Sequence, residues 1–200
     1  MKKSILRILN LAVTAALVCA ECTYENNNFG DNGENDGGGT VKIGDQTWMA
    51  KNLDRVTKNS KCYNNSADSC AKYGRLYNWT DAKTACPSGW HLPSSDEWAQ
   101  LTDFVGGSST AGTKLKSSTG WRRSSGVPAG RDNYKFSALP GGYGYGGNFN
   151  SAGVGGMWWG ITGGGATASL GMRYDEEGAY QYLGGSDDDG SQHSVRCVQD

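Results

Sequence analysis

Two helix starts and the irregular loop between them constrain this chain more than any other stretch. They fall within residues 74–101, GRLYNWTDAKTACPSGWHLPSSDEWAQL, which also hold three of the seven tryptophans. Asn78 or Thr80 is a good N-cap for a helix over residues 81–85, because a short polar side chain accepts an N–H that the first helical turn leaves unbonded. Pro87 and Gly89 end that helix. Ser94 followed by Glu97 has the spacing of a capping box, in which side chain and backbone satisfy each other. Trp98, Leu101, Phe104 and Val105 then recur on one helical face, and Gly106-Gly107 stop it. Between the helices, Cys-Pro-Ser-Gly-Trp-His-Leu-Pro is too rich in Pro and Gly for regular structure. A rigid loop anchored by Trp90 and Leu92 is expected there.

Two short helices cannot build a core alone. The chain has 31 Gly in 200 residues and only 20% charged residues, too poor in aliphatics for a helical bundle and too aromatic for a disordered chain. Its seven Trp and ten Tyr supply the core instead, at ~150–250 Å² buried per large ring. Residues 41–53 predict a hairpin: Val41 and Ile43 alternate, Gly44-Asp45 turn, and Thr47, Trp48 and Met49 resume, with Trp48 in the core. Residues 55–71 are expected to be loop. So are residues 108–131, with a short strand near 114–116 and one anchor, Trp121. Tyr134, Phe136 and Ala138 alternate and predict a strand ended by Pro140. Residues 141–156 interleave eight glycines with Tyr143, Tyr145, Asn148 and Phe149. They lack the Lys-Ser/Thr and following helix of a phosphate loop. Strands are expected over 157–162, 168–174 and 179–183, with acidic turns at 175–178 and 187–190. A buried last strand over 194–198 follows from the alternation of Val195 and Cys197. The class is α+β, two helices on short, mostly antiparallel strands with long Gly- and aromatic-rich loops.

Lys2, Lys3 and Arg7 precede an apolar run over 8–18, and Val18-Cys19-Ala20 suits a signal peptidase, so residues 1–20 are expected to be a signal peptide. The run is too short for a dependable membrane span. A lipid-anchored alternative places the acyl chain on Cys19 or Cys22. The residues before each fit a lipobox badly, and membrane contact at the outer surface follows only if one is lipidated. Residues 21–40 carry five acids and no base, a composition that suits a flexible tether to a domain over 41–200. The first segment carries +3, the tether −5 and the domain +1, giving the net −1 of the chain. A near-neutral domain excludes nucleic acid as a partner. Export to the cell envelope or medium makes the cysteines disulfide material. Cys22 is the natural odd one. Cys62, Cys70, Cys86 and Cys197 allow three pairings, and none has the short spacing of a zinc finger.

Catalysis has little material. His91 is expected to be structural and His193 to be an exposed, unremarked residue, which leaves no nucleophile–base pair and no His-rich metal site. No cofactor is expected apart from calcium, for which Asp187, Asp188 and Asp189, with Asp175 and Glu176, supply hard oxygen ligands; a solvated turn is the bland alternative. Trp158 and Trp159 are expected in the core. Tyr143, Tyr145, Tyr180 and Tyr182 are the preferred contacts for a polysaccharide or a surface protein, since Tyr offers a large face and a polar tip at low entropic cost.

Several ordered motifs carry a resemblance. CPSGWHLPSSDEWAQL resembles the signature of the Fibrobacter succinogenes major paralogous domain. VKIGDQTWMAKNL resembles that family's opening, CYNNSADSCAKYGRLYNW its middle, and FSALPGGY, MWWGIT and SVRCVQD its end. More distantly, HLPSSDEW between two helices is similar to the formylglycine-generating-enzyme branch of the C-type lectin-like fold. That resemblance implies a disulfide from Cys86 to Cys197, tying the first helix to the last strand, which leaves Cys62 with Cys70. It also implies ligand surfaces on the later loops, 141–153 and 174–192. The Glu-Pro-Asn and Trp-Asn-Asp motifs of calcium-dependent sugar recognition are absent, so that mode does not carry over. The expected function is a non-catalytic binding or adhesion module. The alternatives are a structural surface component and a degenerate enzyme of the formylglycine-generating type.

Overall fold

The computed structural model describes residues 39–185 and 190–200. The expected signal peptide, Cys19, Cys22 and nearly all of the expected tether lie outside the described residues, as do Asp187, Asp188 and Asp189. The fold is α+β. Strands β1 (Thr40–Ile43) and β2 (Gln46–Met49) form the expected hairpin, with Val41 opposite Trp48. β1 starts at Thr40, one residue inside the stretch expected to be tether. A single 3₁₀ turn, Tyr63–Asn65, leads into α1 (Ala67–Tyr73), where a loop was expected. This helix buries only Cys70, so it has no apolar periodicity to read; the Cys62–Cys70 disulfide, with Cα atoms 4.9 Å apart, fastens it instead.

β3 (Leu76–Tyr77) precedes α2 (Trp79–Ala85), and the Asn78 side chain accepts the Asp81 N–H, so Asn78 is the cap. The loop after α2 contains a two-residue strand, β4 (Trp90–His91), and α3 (Ser95–Phe104) opens with the full Ser94/Glu97 capping box. Phe104 departs from expectation: it is 57% exposed and lies edge-on to Tyr134. α4 (Ser108–Leu115) replaces the expected loop and short strand. Its N-cap is Gly107 and Gly112 lies inside it, so local signals are missing; burial of Ala111, Gly112, Thr113 and Leu115 holds it together.

The alternation of Tyr134, Phe136 and Ala138 does not make a strand. Asp132, Lys135 and Ser137 have φ of 48°, 58° and 52°, so the chain coils while burying Phe136 and Ala138. The glycine-rich stretch forms a hairpin of β5 (Tyr143–Tyr145) and β6 (Asn148–Asn150), not a long loop. β7 (Gly155–Ile161), β8 (Thr167–Arg173) and β9 (Tyr180–Leu183) form the expected meander. The expected final strand divides in two, β10 (Ser191–Ser194) and β11 (Val198–Gln199). β11 enters a four-stranded sheet of order β1-β2-β11-β4. β10 enters a sheet of order β6-β5-β10-β7-β8-β9, with β3 also paired to β10. Between them Val195, Arg196 and Cys197 are fully buried, and the Leu53 and Met49 N–H groups donate to the Val195 and Cys197 carbonyls at 2.9 and 3.1 Å.

β7 is the axis of the core. Adjacent residues of a strand point to opposite faces. Trp158 enters one cluster with Trp48, Trp98, Leu101, Phe136 and Leu170, and Trp159 enters another with Tyr77, Trp79, Ala82, Leu92 and Val195. α3 roofs the first cluster and α2 the second. Both indoles are buried and bonded: Trp158 Nε1 donates to Asn52 Oδ1 at 2.8 Å and Trp159 Nε1 to the Tyr77 carbonyl at 2.7 Å. A second disulfide, Cys86–Cys197, joins the end of α2 to the chain just before β11 over a separation of 111 residues, the pairing that the resemblance implies.

Candidate functional site

Strand register places all four tyrosines on the Trp159 face of the larger sheet. Met157 lies opposite Gly171, which lies opposite Tyr180; Trp159 lies opposite Ser169, which lies opposite Tyr182. On the other side of β7, His193 stacks on Trp159 with ring centroids 4.0 Å apart, and Tyr143 meets His193 edge-on at 6.4 Å. Tyr145 follows two residues on, opposite Ser191. The row is covered at its centre, where Trp79 of α2 packs on Trp159 at 5.4 Å. It is open at both ends.

One end is the β5–β6 hairpin, where Tyr145 is 55% exposed and Tyr143 is half-buried. The other is β9, where Tyr180 and Tyr182 are 40% and 53% exposed. The structure therefore does not make one patch of the four rings. It makes two pairs, separated by β10, β7 and β8. The β9 pair has the better-built seat. A Cβ at Gly171 would stand 2.8 Å from the Tyr182 ring and 2.9 Å from the Met157 sulfur, so the absent side chain lets Tyr182 and Met157 close in on β8. Tyr180 likewise folds over Gly178, where a Cβ would meet its ring at 2.3 Å. The result is a shallow aromatic shelf bordered by Arg173, which holds Asp175 at 3.1 Å and Glu176 at 3.4 Å. Asp175 and Glu176 are thus engaged with Arg173, and no cluster of three metal-ligating side chains occurs among the described residues.

The histidines divide. His193 is buried, in contrast to the exposed position expected of it, because the β10 register turns it onto Trp159. His91 bridges two acids, with Nδ1 2.7 Å from Asp200 Oδ1 and Nε2 2.8 Å from Glu97 Oε1. Burial on its own pulls the imidazole pKa down, but the hydrogen bonds and charges of Asp200 and Glu97 together outweigh it and leave the ring above its ordinary value. The side-chain partners of His91 are thus carboxylates on both ring nitrogens.

A buried polar hub escaped sequence reasoning altogether. Asn52 Oδ1 accepts from Trp158 Nε1 and from Nε and Nη2 of Arg196, while its amide donates to the Tyr73 carbonyl and to Ser194 Oγ. Arg196 also donates to the Phe136 carbonyl and lies over the Phe136 ring. A polar residue beside Leu53 and an arginine between Val195 and Cys197 in a buried run are the only signals that could have pointed to it.

A family model, the Fibrobacter succinogenes major domain, matches residues 41–199 of this chain. No curated protein and no solved structure matches it.

Proposed function

Since this chain belongs to the Fibrobacter succinogenes major domain family over residues 41–199, we propose that it is an exported, cell-surface binding module of C-type lectin-like fold that takes a polysaccharide or a surface protein without transforming it. The observation that carries this reading is the β9 shelf: two solvent-facing tyrosines seated on glycine and Met157, on a strand paired to β8. Exposed aromatic rings on a rigid support bury area on a partner while losing little side-chain freedom. The non-catalytic part of the reading is supported by the cysteines. Formylglycine-generating chemistry needs reactive thiols, and Cys62, Cys70, Cys86 and Cys197 are all in disulfides. The same disulfides are compatible with an oxidising compartment outside the cytosol. A tether over residues 21–39 and a signal peptide over 1–20 complete the reading.

The test is an array of glycans and surface proteins probed with the full chain, followed by variants. Tyr180→Ala and Tyr182→Ala are each expected to weaken binding by about 1–2 kcal/mol with little change in thermal stability, and Tyr145→Ala less. An array with no binder favours a structural surface component. Loss of folding in the tyrosine variants, with affinity retained in the folded fraction, places the binding face elsewhere. Affinity abolished by a chelator and restored by calcium assigns the ion a role and points to Asp187, Asp188 and Asp189.

A further inference from the structure

A cavity lies on the Trp158 side of β7, away from the tyrosine shelf, between residues 50–54, 70–74 and 135–139 with Arg196 in its wall. Its volume is about 580 Å³, inside the roughly 300–1,000 Å³ span of small-ligand sites. The charges around it are one-sided. Lys51, Lys72, Lys135 and Arg196 face it together with one carboxylate, Asp54, a net of +3 on a domain that is otherwise close to neutral. None of these four cations forms an ion pair among the described residues. Lys72 lies over the Tyr73 ring, and Lys51, Lys72 and Lys135 are all solvent-exposed, free to swing toward the cleft.

Arg196 is the telling group. It is 0% exposed, its acceptors are Asn52 Oδ1 and the Phe136 carbonyl, both neutral, and two of its five N–H groups make no hydrogen bond. A buried guanidinium without a carboxylate at hand is costly, and proteins ordinarily supply one. Burial pulls its pKa down to about 9, only partly offset by the charge of Asp132. Asp54 does little to compensate: its Oδ1 is buried without a hydrogen bond, and burial pushes its carboxyl up toward the neutral form, against the pull of Arg75. The wall carrying Lys135 is also strained, with Lys135 and Ser137 in the left-handed region and Ser137 fixed by the Asp132 carboxylate through both its N–H and its hydroxyl. Strain of this kind persists where the surroundings enforce it, and it gathers at ligand sites.

We propose that this cleft binds an anionic small ligand through an oxyanion group, a carboxylate, sulfate or phosphate, which the three lysines gather in and which completes the electrostatic environment of Arg196. Guanidinium and ammonium groups converging on one cavity are the standard recognition chemistry for such groups.

Calorimetric titration of the full chain at low salt tests this, with D-glucuronate, inorganic sulfate and inorganic phosphate as probes and glucose as the neutral control. At least one anion is expected to bind and glucose is not; which anion binds identifies the source of the oxyanion. The combined variant Lys51→Gln, Lys72→Gln, Lys135→Gln is expected to lose about tenfold or more in affinity, with an unchanged melting curve, because all three side chains are exposed. Lys42→Gln with Lys83→Gln, away from the cleft, is expected to leave affinity intact. Absence of heat with every anion overturns the proposal. So does anion binding that survives the triple variant, and so does binding abolished by Tyr180→Ala and Tyr182→Ala, which would assign the anion to the shelf.

Discussion

His91 shows how a single side chain can couple loop, helix and chain end. Its ring joins the capping carboxylate of α3 to Asp200, beside β11. Because its folded pKa lies above the unfolded value of 6.5, the protonated ring contributes stability that is complete below about 6.5 and is lost as the pH rises through the raised value. For Glu97, burial raises the carboxyl, but its bonds to Ser94 and His91 together leave it below 4.5, so its contribution holds above that value and fades as the pH falls through the lowered one. The stability difference between the wild type and His91→Phe in urea denaturation is therefore expected to be greatest between 4.5 and 6.5 and to narrow at higher pH. A difference that stays constant across this range and up to about pH 9 would mean that the ring never carries its charge.

At the scale of elements, α4 is the instructive case. It meets the rest of the fold backbone to backbone: a Cβ at Gly112 would stand 2.1 Å from the Gly178 carbonyl oxygen and 2.8 Å from that of Glu177, while the Thr113 N–H donates to the Glu177 carbonyl at 2.8 Å. Gly112→Ala improves helix propensity by about 1 kcal/mol, yet it is expected to destabilise the protein by a net of about 1–3 kcal/mol through overpacking. A chemical-denaturation midpoint that rises instead would refute the close approach. The same helix explains what could be read in advance. α2 and α3 were legible because their caps are side chains, Asn78, Ser94 and Glu97, whose chemistry acts within four residues. The β1–β2 hairpin and the β7–β9 meander were legible from alternation and turn residues. α1 and α4 were not, since a disulfide and distant backbone decide them. The split of the last strand, the burial of His193 and the Asn52–Arg196 hub were also hidden, because each depends on partners more than 30 residues away. Tyr145, Tyr180 and Tyr182 are exposed and Tyr143 is half-buried, and their division into two pairs is a matter of strand order alone.

For the whole molecule, the two disulfides do unequal work. In the chain-entropy picture, a loop of 111 residues is worth about 4–5 kcal/mol and one of 8 residues about 2–3 kcal/mol, both upper figures. Replacing Cys86 and Cys197 together by Ala is expected to cost about 2–5 kcal/mol, more than replacing Cys62 and Cys70, as compared by thermal or urea unfolding. The reverse order would show that the short bridge, with Arg75 Nη1 3.6 Å from Cys70 Sγ, anchors α1 to more of the structure than its loop length suggests. The division of the C-terminal strand between the two sheets also has a bearing on biosynthesis. β10 is the link between β5 and β7, and β11 is the link between β2 and β4. A nascent chain still missing residues 191–199 can close neither sheet, however long the ribosome pauses. One nine-residue segment therefore completes both sheets, so the two stand or fall together on its docking.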